Sequence, residues 1–305
     1  MRLKSHLVAT SFLLASVDTW AAASSYFSAS YSTRQNDVIT VLADTEVEYE
    51  DSKYTRFEFS QKLYKDFRLG AVLQLDEEAQ DILGYTAKIS SDRWLVSIEQ
   101  SEFNGQMVND QGVAFADFDG NSYLDLKFLK KIEKPLDEVE KSVSFGLQYL
   151  TYQRPAAFEQ DGVEYYDTEL ENHFLAFVFE IDSVKDKMIN GGIESSFDWY
   201  FYNTTALGVG MLESSNPKLR NNPGVDGNPD QTTWVGLGIA GEYELGLVWF
   251  YDAPKFRFAA KAGYRADLEG PVSFHGGSFD ISDDTVHPDE QLLNHGPNLT
   301  LSAAF

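Results

Sequence analysis

The sequence contains no cysteine, which removes disulfides, thiolate zinc sites and haem thiolate ligation together. Basic residues are scarce: 24 Lys and Arg stand against 48 Asp and Glu, a formal net charge of −24 at pH 7. A chain this acidic offers no basic patch for nucleic acid or an anionic membrane face. Proline is sparse, and no Pro-rich linker, internal repeat or charge block separates a second domain from the rest of the 305 residues. Long apolar runs are also missing. No stretch after the first 23 residues approaches the eighteen needed for a transmembrane helix. Aromatic residues, by contrast, are plentiful (22 Phe, 16 Tyr, 5 Trp), which excludes a disordered chain.

Met1–Ala23 reads as a secretory signal peptide. Arg2 and Lys4 give a positive start, Leu7–Val17 an apolar stretch, and Ala21-Ala22-Ala23 a small-residue cleavage site before Ser24. Eleven apolar residues are too short to cross about 30 Å of hydrocarbon, so cleavage is expected and not anchoring. Residues 24–305 are then the exported protein, a single domain.

From Ser24 onward the pattern has period two, which places successive side chains on opposite faces of a strand. In Thr233–Tyr251, Val235, Leu237, Ile239, Tyr243, Leu245, Leu247 and Trp249 alternate with glycines, Ala240, Glu242 and Glu244. Phe256, Phe258, Ala260, Ala262 and Tyr264 alternate in the same way with Lys255, Arg257, Lys261 and Arg265. A soluble sandwich also alternates. Against it stand strands near ten residues, the length a tilted strand needs to cross a bilayer, where sandwich strands run to about five or six. Aromatics crowd the short turns as an interfacial girdle would: Tyr64, Phe67, Trp94, Tyr251 and Phe256.

The chain stops on Leu299-Thr300-Leu301-Ser302-Ala303-Ala304-Phe305. This ending resembles the C-terminal assembly signal of Gram-negative outer-membrane β-barrels, with Leu299, Leu301 and Phe305 on one face. The resemblance implies an all-β antiparallel transmembrane barrel in the outer membrane, with both termini in the periplasm. Its partners would then be lipid, lipopolysaccharide and the barrel assembly machinery. In size the chain is similar to a solitary autotransporter translocator barrel without its passenger.

Strands are expected near 24–33, 54–63, 67–76, 82–90, 93–101, 121–131, 142–153, 172–182, 193–213, 232–251, 255–266 and 296–305. These twelve alternate short periplasmic turns with long external loops. Fourteen strands are the alternative, if Asn203-Thr204-Thr205 and Asp119-Gly120-Asn121 are both turns. Twelve is preferred because the odd residues stay apolar from Phe197 through Met211.

The loops 34–53, 77–81, 102–120, 154–171, 214–231 and 267–295 then hold 28 acids and five bases. The lumen-facing charges nearly balance: Arg56, Lys62, Arg68, Lys88, Lys127, Lys255, Arg257, Lys261 and Arg265 against Glu58, Glu99, Asp125, Glu194, Asp198, Glu242 and Glu244. With Tyr251 opposite Phe256, Glu242 would face Arg265 and Gly246 would face Lys261. Glu242, Glu244, Lys261, Arg265 and Arg257 thus make a charge ladder on one lumen wall.

No cofactor is required, although acidic loops suit Ca²⁺ or Mg²⁺, alone or shared with lipopolysaccharide phosphates. Asp117, Asp119 and Asn121 have the start of a calcium-loop pattern without its later ligands, and a Gly-containing turn fits them better. Catalytic spacing is absent: there is no Gly-x-Ser-x-Gly elbow and no His-x-x-x-His pair, and Ser273, His275 and Asp280 share one loop with nothing to orient a base. The expectation is a non-enzymatic barrel, a small passive pore with weak cation preference. The alternative is a closed or filled barrel with a scaffold, adhesive or autotransporter-like role, and an outer-membrane hydrolase comes behind both.

Overall fold

The computed structural model describes residues 25–39, 45–49, 52–64, 67–76, 82–91, 93–109, 113–132, 142–160, 163–182, 197–215, 233–253, 256–271, 273–274, 277–278 and 291–305. The expected signal segment, 1–23, lies outside them. Every regular element among the described residues is a strand. In chain order these are β1 (Ser25–Ile39), β2 (Thr45–Tyr49), β3 (Ser52–Tyr64), β4 (Phe67–Asp76) and β5 (Ile82–Ser90). There follow β6 (Trp94–Asn109), β7 (Ala114–Lys131), β8 (Ser142–Gln160), β9 (Val163–Asp182) and β10 (Phe197–Ser215). The last are β11 (Thr233–Ala253), β12 (Phe256–Pro271), β13 (Ser273–Phe274), β14 (Gly277–Ser278) and β15 (Gln291–Ala304).

Twelve of these close into an antiparallel barrel. From β3 to β12 each strand pairs with the next, β12 pairs with β15, and β1 joins β15 to β3. Closure satisfies backbone groups that an open edge would leave bare in hydrocarbon. Followed once around the strands, the register that starts at Ser25 returns to the first strand at Ile39, fourteen residues on. With about 3.3 Å per residue and about 4.8 Å between strands, that stagger tilts the strands by about 40° and gives a radius of about 12 Å.

Both positions that could have split a strand are continuous. Asn203-Thr204-Thr205 pairs with Leu245, Glu244 and Tyr243 in the middle of β10. Asp119-Gly120, expected as a turn, is a β-bulge instead: Phe103 opposes Asn121 and Gly105 opposes Phe118, leaving β7 one residue longer across that step. A glycine beside an extra unpaired residue fits a bulge as well as a hairpin, which is why the turn expectation failed there.

The strands also run further than expected at the long-loop end. Much of 102–120 and 154–171 is not loop. The β6–β7 hairpin stays paired to Val108 and Ala114, and β8–β9 to Gln160 and Val163. Apolar alternation marks only the part that meets lipid, whereas backbone pairing continues past it. β2 lies against this extension, pairing Thr45–Tyr49 with Asn109–Gly105 of β6 beyond Gly84–Ser101, where β5 stops.

Outward positions are apolar and exposed, as in Leu147, Leu175, Val209, Leu247 and Leu299, with Phe201 standing 89% exposed. Tyr64, Phe67, Tyr251, Phe256 and Phe305 ring the belt at the short-turn end. A second ring, which the sequence pattern had not singled out, consists of Tyr31, Tyr85, Tyr149, Tyr243 and Tyr264 at the opposite border. Tyr85 donates to Gln100, and Tyr149 and Tyr264 bond His173 and His295 of neighbouring strands.

Candidate functional site in the barrel lumen

The β11–β12 hairpin carries the expected ladder in a shifted register. Tyr251 opposes Phe258, not Phe256, so every pair moves by two residues: Glu244 faces Arg265, Val248 faces Lys261 and Glu242 faces Asp267. An even shift preserves the faces. The hairpin closes through a two-residue connection, 254–255, where three residues were expected. The shift also sets Gly246 opposite Gly263.

Glycines in those two places make room for Tyr202. Its rung reads Tyr202, Gly246, Gly263, Asn298 across β10, β11, β12 and β15. The Tyr202 ring lies over the glycines, and a β-carbon at Gly263 would collide with its hydroxyl. From there Tyr202 donates to Glu244 Oε1 at 2.5 Å. Asn298 Nδ2 donates to the same carboxylate at 3.0 Å, and Ser32 donates to Asn298 Oδ1 at 2.8 Å. Lys261 Nζ reaches Glu244 at 2.9 Å and sits 4.9 Å over the Tyr202 ring centroid. Glu244, 3% exposed, is therefore a charge fully supplied with partners.

Arg265 binds Glu242 and Asp267, each at 3.0 Å. Lys127 on the opposite wall lies 3.4 Å from Asp125 and 3.5 Å from Glu180, and Lys88 is 3.6 Å from Glu58. Four of the five expected ladder residues thus meet in two linked ion-pair groups. Arg257 lies lower on β12, four residues before Lys261, opposite Asp252 and Ala304, and does not line the cavity.

That cavity is about 510 Å³ and is lined by eleven acids and six bases. The lumen charge is therefore not balanced at cavity depth. Of the bases counted from the sequence, Lys62, Arg68 and Arg257 belong to the short-turn end, below the cavity. The lining also gains Lys53, Asp76, Glu102, Glu180, Asp182, Asp267 and Glu269, which the pattern had given to strand ends or loops. Lys255 and Glu194 lie outside the described residues, as does Asp280–Glu290. The same holds for the side chains of Asp198 and Trp234, and of Asp117, Asp119 and Asn121.

Two clusters of inward side chains are dry. One cluster joins inward Tyr26, Tyr202, Val248, Phe250, Ala259 and Ala304, with Tyr200 packed on it. A second joins Leu129, Leu150, Tyr152, Phe174, Ala176, Val178 and Leu212. Leu129 is 0% exposed and Phe250 1%, although both point into the barrel. The cavity is lined from all twelve strands, with Ser28, Ser30 and Thr300 on the β1–β15 side and Gln148, Val178 and Gly208 on the β8–β10 side. The dry clusters had a signal that alternation counts pass over. Phe174–Phe179 and Leu247–Phe250 are apolar on both faces, as a strand buried on both sides must be.

Leu299 and Leu301 face outward, and the terminal residue closes the barrel. Phe305 N–H donates to Ser25 O at 2.8 Å and Ser25 N–H to Phe305 O at 3.0 Å. Among the described residues no three His, Asp or Glu side chains converge to hold a metal ion.

A closed antiparallel cylinder with an apolar belt outside and paired charges inside is an outer-membrane β-barrel. No protein-family model and no curated protein matches the chain. Similar solved structures include the outer membrane protease OmpT of Escherichia coli, 9% identical, covering 94% of this chain and 97% of that one at a TM-score of 0.33. The β domain of the Bordetella autotransporter BrkA is 9% identical over 93% of this chain and 99% of that one, TM-score 0.34. OccK1 (OpdK) of Pseudomonas aeruginosa is 7% identical over 93% and 98%, TM-score 0.20. Values this low attach the chain to none of the three.

Proposed function

We infer that the barrel is a small passive pore of the Gram-negative outer membrane, non-enzymatic, with a weak preference for cations. The observation that carries this reading is the cavity of about 510 Å³ with eleven acids and six bases on its wall. Such a wall raises the local concentration of cations over anions. The two dry clusters narrow the lumen and so favour a small conductance. The termini would lie in the periplasm, with the acidic loops outside, where Ca²⁺, Mg²⁺ and lipopolysaccharide phosphates are their natural partners. Leu299, Leu301 and Phe305 would present the last strand to the assembly machinery.

Reversal potentials of the refolded protein in a salt gradient test the reading. Cation preference at low ionic strength is expected, fading as salt shortens the screening length from about 30 Å at 0.01 M toward about 3 Å at 1 M. Anion preference would overturn it. A second reading, a closed barrel serving as scaffold or autotransporter-like module, draws on the two dry clusters. A closed barrel that stays silent in the bilayer would favour it.

A further inference from the structure

We propose that the cluster of Tyr26, Tyr200, Tyr202, Val248 and Phe250 is the constriction of the pore, an apolar floor beneath the acidic cavity. This rests on the pore reading above. Inward positions of a water-filled barrel are wetted, yet Val248, Phe250 and Ala259 are each 1% exposed. The cluster spans five consecutive strands toward the short-turn end: β10, β11, β12, β15 and β1.

Its interior is shaped for large rings. Ala259 and Ala304, both small, stand between Val248 and Phe250 on one flank and Tyr26 on the other. Tyr200 meets Phe250 edge-on, with ring centroids 5.8 Å apart. Tyr26 and Ser302 share a hydrogen bond of 3.3 Å and both line the cavity, whereas Val248 and Phe250 do not. The Tyr26 ring therefore stands at the boundary between wet and dry. Lys261 above Tyr202 joins the floor to the Glu244 ion pair. A hydrated ion leaving the acidic cavity meets these apolar side chains on five of the twelve strands, and apolar constrictions limit passage by excluding water. Charge is selected in the cavity and flux is limited below it.

Single-channel conductance of the refolded full-length barrel tests the floor. The variants are Phe250→Ala, Tyr26→Ala with Phe250→Ala, and Leu150→Ala in the other dry cluster as control. Heat-modifiable migration checks closure of each barrel, with Phe250→Val standing in should Phe250→Ala fail to close. Truncating the floor should raise conductance about threefold or more with the reversal potential unchanged, while Leu150→Ala stays near wild type. Ser302→Phe, which adds bulk beside Tyr26, should lower it by a similar factor. A silent wild type with conducting floor variants supports the floor as well. A conducting wild type whose floor variants match it overturns the floor and leaves the pore standing. Silence from every closed barrel overturns the pore reading, and the floor with it.

Discussion

Tyr202 spans three strands because two of them carry no side chain beneath its ring. Gly246 and Gly263 expose bare backbone, and an aromatic ring laid across glycines restores both burial and rigidity to the sheet. Gly263→Ala should push the ring off the wall. The expected cost is about 1–3 kcal/mol, typical of overpacking a filled site, read from the urea midpoint of the folded barrel. An unchanged midpoint would mean that both the ring and the Leu245 carbonyl, which the new β-carbon also meets, can give way. Tyr202→Phe keeps the ring and removes one of the donors to Glu244. A buried carboxylate short of a donor loses about 1–3 kcal/mol, so this variant should be destabilised without any change in shape. Lys261→Met should be worse than either, since it leaves Glu244 charged and buried without its cation. If Tyr202→Phe proved more damaging than Lys261→Met, the hydroxyl's bond to Glu244 and not the ion pair would govern this wall.

The β11–β12 hairpin shows what a strand pattern can and cannot specify. Alternation assigned the face of the described residues in it correctly, because a sheet has only two faces and lipid rejects charge from one of them. The register slipped by two because period-two patterns are unchanged by an even shift. What fixes it is Gly246 opposite Gly263 under Tyr202, a contact with a third strand that no hairpin rule contains. Cysteine cross-linking distinguishes the registers in a chain with no cysteine of its own. Leu245→Cys with Tyr264→Cys, directly opposed here, should bridge readily. Leu245→Cys with Ala262→Cys is a diagonal pair, about 7–8 Å between residues, and should not. The reverse result would restore the register expected from the turn. Elsewhere the twelve strands were legible from their lipid-facing halves. Their far ends were not, since β6 to β9 keep pairing where no lipid enforces a pattern. The dry inner wall escaped for the opposite reason: Phe174–Phe179 is apolar throughout, so a search for alternation sees only a weaker strand.

The assembled molecule divides its charge along its axis. Acids dominate the cavity, while Lys62, Arg68 and Arg257 sit nearer the short-turn end. Divalent cations should therefore weaken cation preference more than monovalent salt of equal ionic strength, because they bind carboxylates as well as screen them. Equal effects of MgCl₂ and NaCl on the reversal potential would argue against any such binding. Removal of Phe305 should lower the amount of closed barrel in outer-membrane fractions, since the residue both ends the apolar face and exchanges backbone bonds with Ser25. Normal yield would show that closure does not depend on that last aromatic. The wall itself is uneven in height. β6 to β9 continue well past the point where β4 and β5 turn back, and β2 extends the tall side by one more strand. A small ion entering the mouth is indifferent to this, but a particle wider than the mouth is not. It touches the high side long before it reaches the low one, so the barrel has a front and a back to whatever approaches, and a bulky visitor is tilted before it can cover the opening.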